Sequence, residues 1–252
     1  MKTSIALAVT GLLLSSQSAF AGWYQVVNYA GTLGDRPVQV SLQTYDFGSG
    51  ITVEGSMVSD DHTPIALYGT RDGTELSLCT IATPEELDAV LIQGSTTPVD
   101  TMDCGFALTM DGETLTGSYA VDGDSSAVTL KPVGTLDDSG EDVLTGSVEI
   151  PFWAQTETHM FQGVYGQSDL GICLQTLQVI NKGTGAVDQQ FALSEDSCNA
   201  GMVMTPIYLN VEIGEGDTGP VVWVNYLDNQ GGYAEDYAVD ETTGLLSKLA
   251  GQ

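Results

Sequence analysis

Two histidines, four cysteines and a large surplus of carboxylates are the groups in this chain with chemistry to offer. His62 stands in the turn "SDDHTP" beside Asp60 and Asp61, a grouping that suits either a weak metal site or a solvated turn. His159 lies in "TETHMFQG", at a strand edge. There is no serine in a G-x-S-x-G elbow, no H-E-x-x-H pair, and no Gly-rich phosphate loop before a helix. Carboxylates are so numerous that no pair stands out as a glycosidase dyad. Beyond Lys2 the basic residues are Arg36, Arg71, Lys131, Lys182 and Lys248, too dispersed to clamp an anionic substrate. The chain therefore reads as a binding or structural protein, not an enzyme, with no cofactor.

Calcium is the one ion the oxygen ligands could attract outside the cytoplasm. The groups are Asp122 and Asp124 of "DGD", Asp137, Asp138, Glu141 and Asp142 of "LDDSGED", and the stretch "VNYLDNQGGYAEDYAVDE" from Val224 to Glu241. In that stretch a D-x-[DN]-x-[DN]-G register ending at Gly232 would put ligands at Leu227, Asn229 and Gly231. Only Asn229 carries a side-chain oxygen there. Asp228, Glu235 and Asp236 could gather an ion only irregularly, so the identity of any metal stays open.

The chain's first residues fix a compartment. Lys2, the apolar run Ile5 to Leu14 and the A-x-A site at Ala19-Phe20-Ala21 form a secretory signal peptide over residues 1–21. No later run approaches the roughly 18 apolar residues that a membrane helix needs. The expectation is a periplasmic or secreted protein with no membrane insertion. Cys79, Cys104, Cys173 and Cys198 agree with an oxidising compartment. Four cysteines allow three connectivities, and no C-x2-C pair points to zinc. Both Cys79 to Cys104 and Cys173 to Cys198 span 25 positions. Local pairing would close one loop in each half, each worth about 3 kcal/mol.

The formal net charge is −28, and loss of Lys2 with the leader leaves 34 acidic against 5 basic residues, or −29. Such a surface repels nucleic acid and anionic lipid, and attracts cationic proteins. It would also suit a salty habitat, where screening relieves self-repulsion. Apolar residues make up 42% and alternate regularly, which argues for a packed chain over a disordered one.

The elements that must position these groups are strands. "RPVQVSLQTYD" alternates Val38, Val40 and Leu42, and similar runs follow at tight Gly, Asp and Asn turns, with almost no helical period. About eight such runs before Gly134 imply an antiparallel meander, closed into a small barrel so that no edge is exposed. The exception is "TPEELDAVL", where Thr83 followed by Pro84, Glu85 and Glu86 predicts a short helix to Leu91. Acidic and small residues from Gly134 to Gly146 mark a boundary between an N-terminal β domain, 22–134, and a second antiparallel β domain, 147–252. In the latter "NKGTG" reads as a hairpin turn, and "TTGLLSKLA" as a short helix or a last strand. The fold class is all-β.

The second half, with "LQTLQVINKGTGAVDQQFAL" and then a strand entering an acidic glycine-tyrosine loop, resembles a family of bacterial periplasmic inhibitors. Those proteins neutralise lysozyme-like peptidoglycan hydrolases and include the immunity proteins of toxins delivered by type IV secretion. Gly232, Tyr233 and Glu235 stand where the family has G-Y-x-D in "NFDGYxD", and Gln230-Gly231 replaces its Phe-Asp. The first half, with "YAGTLGDRPVQVSL" and "GETLTGSYAVDG", is similar to the Gly-punctuated β-repeat domain that often precedes it. The resemblance implies a cationic hydrolase as partner, met by Asp228, Asn229, Tyr233, Glu235 and Asp236. Tyr233 would be the aromatic anchor and the carboxylates would sit at the rim. A structural or matrix protein of the envelope, acidic for solubility, is the alternative.

Overall fold

The structure, a computed structural model of the chain, describes residues 24–46, 51–83, 86–87, 103–137, 147–168, 171–193, 206–226 and 233–249. Its first eight strands are β1 (Tyr24–Leu33), β2 (Arg36–Asp46), β3 (Ile51–Val58), β4 (Ile65–Asp72), β5 (Glu75–Ile81), β6 (Asp103–Asp111), β7 (Thr114–Val121) and β8 (Asp124–Asp137). Each pairs antiparallel with the next, and β8 returns to β1 to close a barrel. The sequence alternation explains the closure. Val38, Val40 and Leu42 point inward from β2 and meet Tyr29, Leu67, Leu78, Phe106, Leu115 and Leu130 in one buried cluster. Side chains of this size fill an eight-stranded barrel. The intervening positions face out, and on β7 and β8 they include the exposed Thr116, Thr129 and Lys131.

Four connections are two-residue turns, at 34–35, 73–74, 112–113 and 122–123. The first three begin on a glycine with φ near +60°, and Asp122 and Gly123 are both at positive φ. Turns of this hand match the twist of the strands they join. Between β5 and β6 the chain is stapled by the Cys79–Cys104 disulfide. The helix start expected at Thr83 is a capping box. Thr83 Oγ1 accepts the Glu86 N–H at 3.2 Å, and Glu86 Oε2 accepts the Ala82 and Thr83 N–H groups at 2.7 and 3.1 Å. The rest of that expected helix, 84–85 and 88–91, lies outside the described residues.

The second half is two four-stranded meanders. β9 (Val148–Gln155), β10 (His159–Ser168), β11 (Gly171–Asn181) and β12 (Val187–Ala192) form one sheet. A 3-10 turn, Ile207–Leu209, leads to β13 (Val211–Gly216), β14 (Gly219–Tyr226), β15 (Tyr233–Val239) and β16 (Leu246–Lys248) in the other. "NKGTG" is the β11–β12 hairpin turn, and "TTGLLSKLA" ends in a strand, not a helix. The sheets enclose Phe152, Phe161, Tyr165, Leu174, Val222 and Tyr237, all 0–1% exposed. The same core takes in Val26 of β1 and Leu136 of β8, so barrel and second half share packing. Gly134, the first residue of the expected boundary, sits inside β8 opposite Asn28. Residues 138–146 lie outside the described set.

Candidate functional site

The outward face of β2 departs from the acidic exterior, and the departure locates the joint between the halves. Ser41 and Gln43 alternate with the lumen residues, yet are 2% and 0% exposed. The second half covers them. Ser41 Oγ lies 3.0 Å from the Tyr208 hydroxyl, and Gln43 Oε1 accepts the Ile207 N–H at 2.7 Å. Trp153 Nε1 donates to the Gly55 carbonyl at 2.8 Å, and its ring stacks on Tyr208 with centroids 5.6 Å apart. Gln155 Nε2 donates to the Pro64 carbonyl at 3.0 Å, and Asn28 Nδ2 donates to the Glu149 carbonyl. Burial pushes the Tyr208 hydroxyl well above the ordinary tyrosine range, against the hydrogen bond from Ser41. Tyr68, buried beside Glu54 on the barrel's outward face, is pushed up to about 12, by burial first and then by the Glu54 charge.

His62 belongs to this seam. Its Nδ1 is 3.1 Å from the Lys182 carbonyl, so that nitrogen carries the donating proton. The ring rests on Gly185, where φ is +69° and an added Cβ would stand 2.5 Å from Nε2. Only glycine fits that place. Asp61 is spent on its own turn, accepting from Ser59 Oγ and the Thr63 N–H. Among the described residues no group of three or more His, Cys, Asp or Glu could hold a metal ion. Lys182 donates to Gln155 Oε1 and the Thr156 carbonyl, both at 2.6 Å. Burial holds its ammonium below the usual lysine range, against the pull of Asp61 and Glu157.

Beside these bonds the seam opens into two cavities. The larger, about 420 Å³, is lined by residues that include Val58, Asp60, His62, Glu149, Met160 and Ile180. The smaller, about 220 Å³, runs past Asn28, Val133 and Pro151. They share Ala30, Gln39 and Glu149 and form one groove.

His159 is buried, 2% exposed, at the start of β10. Its Nδ1 is 2.9 Å from Thr158 Oγ1, and its Nε2 is 3.0 Å from Asp188 Oδ2, which also accepts from Asn181 Nδ2 at 3.0 Å. Hydroxyl, imidazole and carboxylate thus stand in the order of a nucleophilic triad. The turn from Asp240 to Leu245 packs on the hydroxyl side. An added Cβ at Gly244, φ +72°, would stand 2.5 Å from His159 Nδ1. The row ties β10, β12 and that turn together. The His159 and Asn181 hydrogen bonds hold the Asp188 carboxyl below the usual carboxylate range.

The C-terminal loop divides between what is placed and what is not. Asp228 and Asn229 lie outside the described residues. Tyr233 opens β15 opposite Tyr226, and Asp236 is exposed, opposite Trp223. Glu235 is a correction. It faces the core at 5% exposure, pairs with Lys248 Nζ at 2.7 Å, and accepts the Tyr237 hydroxyl at 2.6 Å. Strand alternation puts 235 and 237 inward and 236 outward, so the Glu235 carboxylate is not a rim group. Cys173 is buried in β11, and Cys198 lies outside the described residues. Sequence reasoning passed over the seam, although "VQVSLQT" held a signal. In a chain with 34 acidic residues, outward positions occupied by the uncharged Ser41 and Gln43 mark a covered face.

Two of the basic residues are drawn inward: Arg71 lines the lumen end beside Tyr29 and Thr44, and Lys182 is bonded at the seam. Lys248 is paired with Glu235 while its own side chain stays exposed. Arg36 and Lys131 are the other exposed cations among the described residues. No described helix is long and apolar enough to cross a membrane. Comparison with family models, curated proteins and solved structures finds no match for this chain.

Proposed function

We propose that the protein is exported to the periplasm or beyond, and that it captures and inhibits a cationic, lysozyme-like peptidoglycan hydrolase. One observation carries the reading. In a −28 chain Arg71 lines the lumen and Lys182 is bonded at the seam, which leaves Arg36, Lys131 and Lys248 as the exposed cations among the described residues, against a large excess of carboxylates. A predominantly negative exterior steers cationic proteins and speeds their encounter. The paired strands β14 and β15 are anchored by Val222, Val224 and Tyr237, all 0–1% exposed. Asp228, Asn229, Tyr233 and Asp236 make the contact, and Glu235 holds these strands through Lys248 and Tyr237. The second disulfide, Cys173–Cys198, belongs to the same proposal. The protein binds its partner and performs no chemistry on it.

Several lysozyme types passed over the immobilised protein at low ionic strength provide the test. Capture that weakens with salt, together with loss of muramidase activity, is the expected result. Tyr233→Ala should then weaken binding by about thirtyfold, the usual loss for an aromatic anchor. If no hydrolase is retained at any ionic strength, the structural role in the envelope replaces this reading.

A further inference from the structure

We propose that the groove along the seam is a docking slot for basic side chains on an extended segment of a partner protein. The alkyl stem lies on Val58, Met160 and Ile180, and the ammonium or guanidinium group reaches Asp60 and Glu149. The inference rests on the reading that the partner is cationic, and it adds a surface far in sequence from the β14–β15 hairpin.

Three observations point to this occupant. The first is the floor. Val58, Met160 and Ile180 are 8%, 2% and 7% exposed and form a small cluster of their own, separate from the barrel core and the sandwich core. The stem of a lysine or arginine is an apolar body that packs on such a floor while its charged end stays in water. The second is the sign of the walls. Asp60 comes from the barrel and Glu149 from β9, and no lysine or arginine lines either cavity. Lys182 presents its carbonyl to His62 and sends its ammonium to Gln155 and Thr156. The third is an unused acceptor. Asn28 lines the smaller cavity, and its buried Oδ1 accepts no hydrogen bond, while its Nδ2 is fixed on the Glu149 carbonyl. Carboxylates and an unpartnered amide oxygen behind them call for a donor-rich cation, not for an anion or a neutral apolar ligand.

The size and form of the groove agree. A cavity of about 420 Å³ is in the range of ligand sites, and the neighbouring one of about 220 Å³ shares Gln39 and Glu149 with it. Side chains two residues apart on an extended peptide fall on one side, about 7 Å from each other. One strand of basic partner could thus fill both cavities.

The test uses the full chain with labelled methionine and isoleucine methyl groups, followed by NMR. The probes are the peptide acetyl-Gly-Lys-Gly-Lys-Gly-amide and the same peptide with both lysines acetylated. The lysine peptide should shift the Met160 and Ile180 methyls saturably, and the acetylated one should bind at least tenfold more weakly. Glu149→Gln should weaken the lysine peptide by about fivefold, the upper range for a solvent-facing ion pair. Added salt should act in the same direction. Equal shifts from both peptides, or an unmoved Met160 while other methyls respond, would overturn the slot. Hydrolase capture that leaves Met160 and Ile180 unmoved removes the slot and leaves the inhibitor reading standing. A peptide seated in the groove of a protein that retains no hydrolase does the reverse.

Discussion

The two halves each contain eight antiparallel strands, and they seal their sheets by different means. In the barrel β1 meets β8 along a backbone ladder that runs from Gln25 opposite Asp137 to Leu33 opposite Val128, with one register shift between Asn28 and Tyr29. In the second half the eight strands stay as two sheets. Where β12 approaches β16, one side chain does the work of a strand. Gln189 Nε2 donates to the Leu246 carbonyl at 3.0 Å, and Gln189 Oε1 accepts the Leu246 N–H at 2.7 Å. Core size explains the difference. The lumen is filled chiefly by Val and Leu, whereas Phe152, Phe161, Tyr165 and Tyr237 are buried in the core of the second half. Sheets that pack face to face over such a core lie about 10 Å apart and do not share a ladder. Backbone closure makes a body that stands alone. Side-chain closure makes one that leans on its neighbour, and here it leans on the barrel through Trp153 and Tyr208.

The largest effect should therefore come from the seam. Trp153→Ala removes the stack on Tyr208 and the hydrogen bond to the Gly55 carbonyl. A buried Trp→Ala change costs about 3–5 kcal/mol. The expected denaturant curve splits into two transitions, with the second half melting first and the barrel persisting. A single transition at the wild-type midpoint would show that the halves do not depend on this contact. Next in size is the barrel's own staple. Serine at both Cys79 and Cys104 should lower the barrel transition by about 3 kcal/mol, from loop entropy alone. The second-half transition of the Trp153→Ala background should not move. A shift of both transitions by the same amount would mean that the chain unfolds as one unit.

Much of this architecture was legible in the sequence, and the reason is local. A strand with one face inside a barrel alternates, and each two-residue turn carries Gly or Asp-Gly where a positive φ is needed, so β1 to β8 could be read off in order. What could not be read was which polar residues are covered, because covering is a property of a distant segment. Ser41 and Gln43 are buried by residues some 165 positions away. Glu235 looked like a rim carboxylate because its neighbours in the chain are acidic, whereas its partner is Lys248 across the sheet. His159 looked like an edge residue and is a buried cross-link to Asp188. Alternation shows that a face exists, and only packing shows what lies on it.

Alkaline pH should separate the halves next. Tyr68 titrates at about 12 in the fold against about 10 in an unfolded chain. Its contribution is fully present below pH 10 and is lost as pH rises through 12, at most about 3 kcal/mol. The Tyr208 hydroxyl, raised by burial, acts in the same direction. Tyr68→Phe should be nearly neutral at pH 7, since the Tyr68 hydroxyl is buried with no hydrogen bond, and should reduce the loss of stability between pH 10 and 12. Identical alkaline melting of variant and wild type would remove Tyr68 from the account. A smaller effect is expected from Gln189→Ala, which opens the β12–β16 closure. Losing the two bonds to Leu246 should cost about 1 kcal/mol and speed amide exchange at Leu246. Unchanged exchange there would mean that the sheets do not need this side-chain closure.

The smallest effect lies at the acid end, where the second half again depends on side chains. Asp188 is held below the usual carboxylate range chiefly by the hydrogen bond from His159, then by the one from Asn181. Asp240 is held low by the Thr243 backbone N–H and side chain and by the Thr242 N–H, in the turn that packs on His159. A carboxyl with a depressed folded pKa contributes stability above its ordinary pKa, near 3.8, and loses it as pH falls through the lower folded value. Both carboxylates are exposed, so solvent screening keeps each contribution small. Asp188→Asn should therefore melt slightly below wild type at pH 7, and the gap should close as pH falls below about 4. If the gap instead persists at pH 2, it comes from the shape of the side chain and not from its charge. The row from Thr158 to Asp188 would then be a packing contact, and the second half would be closed by amides and rings alone.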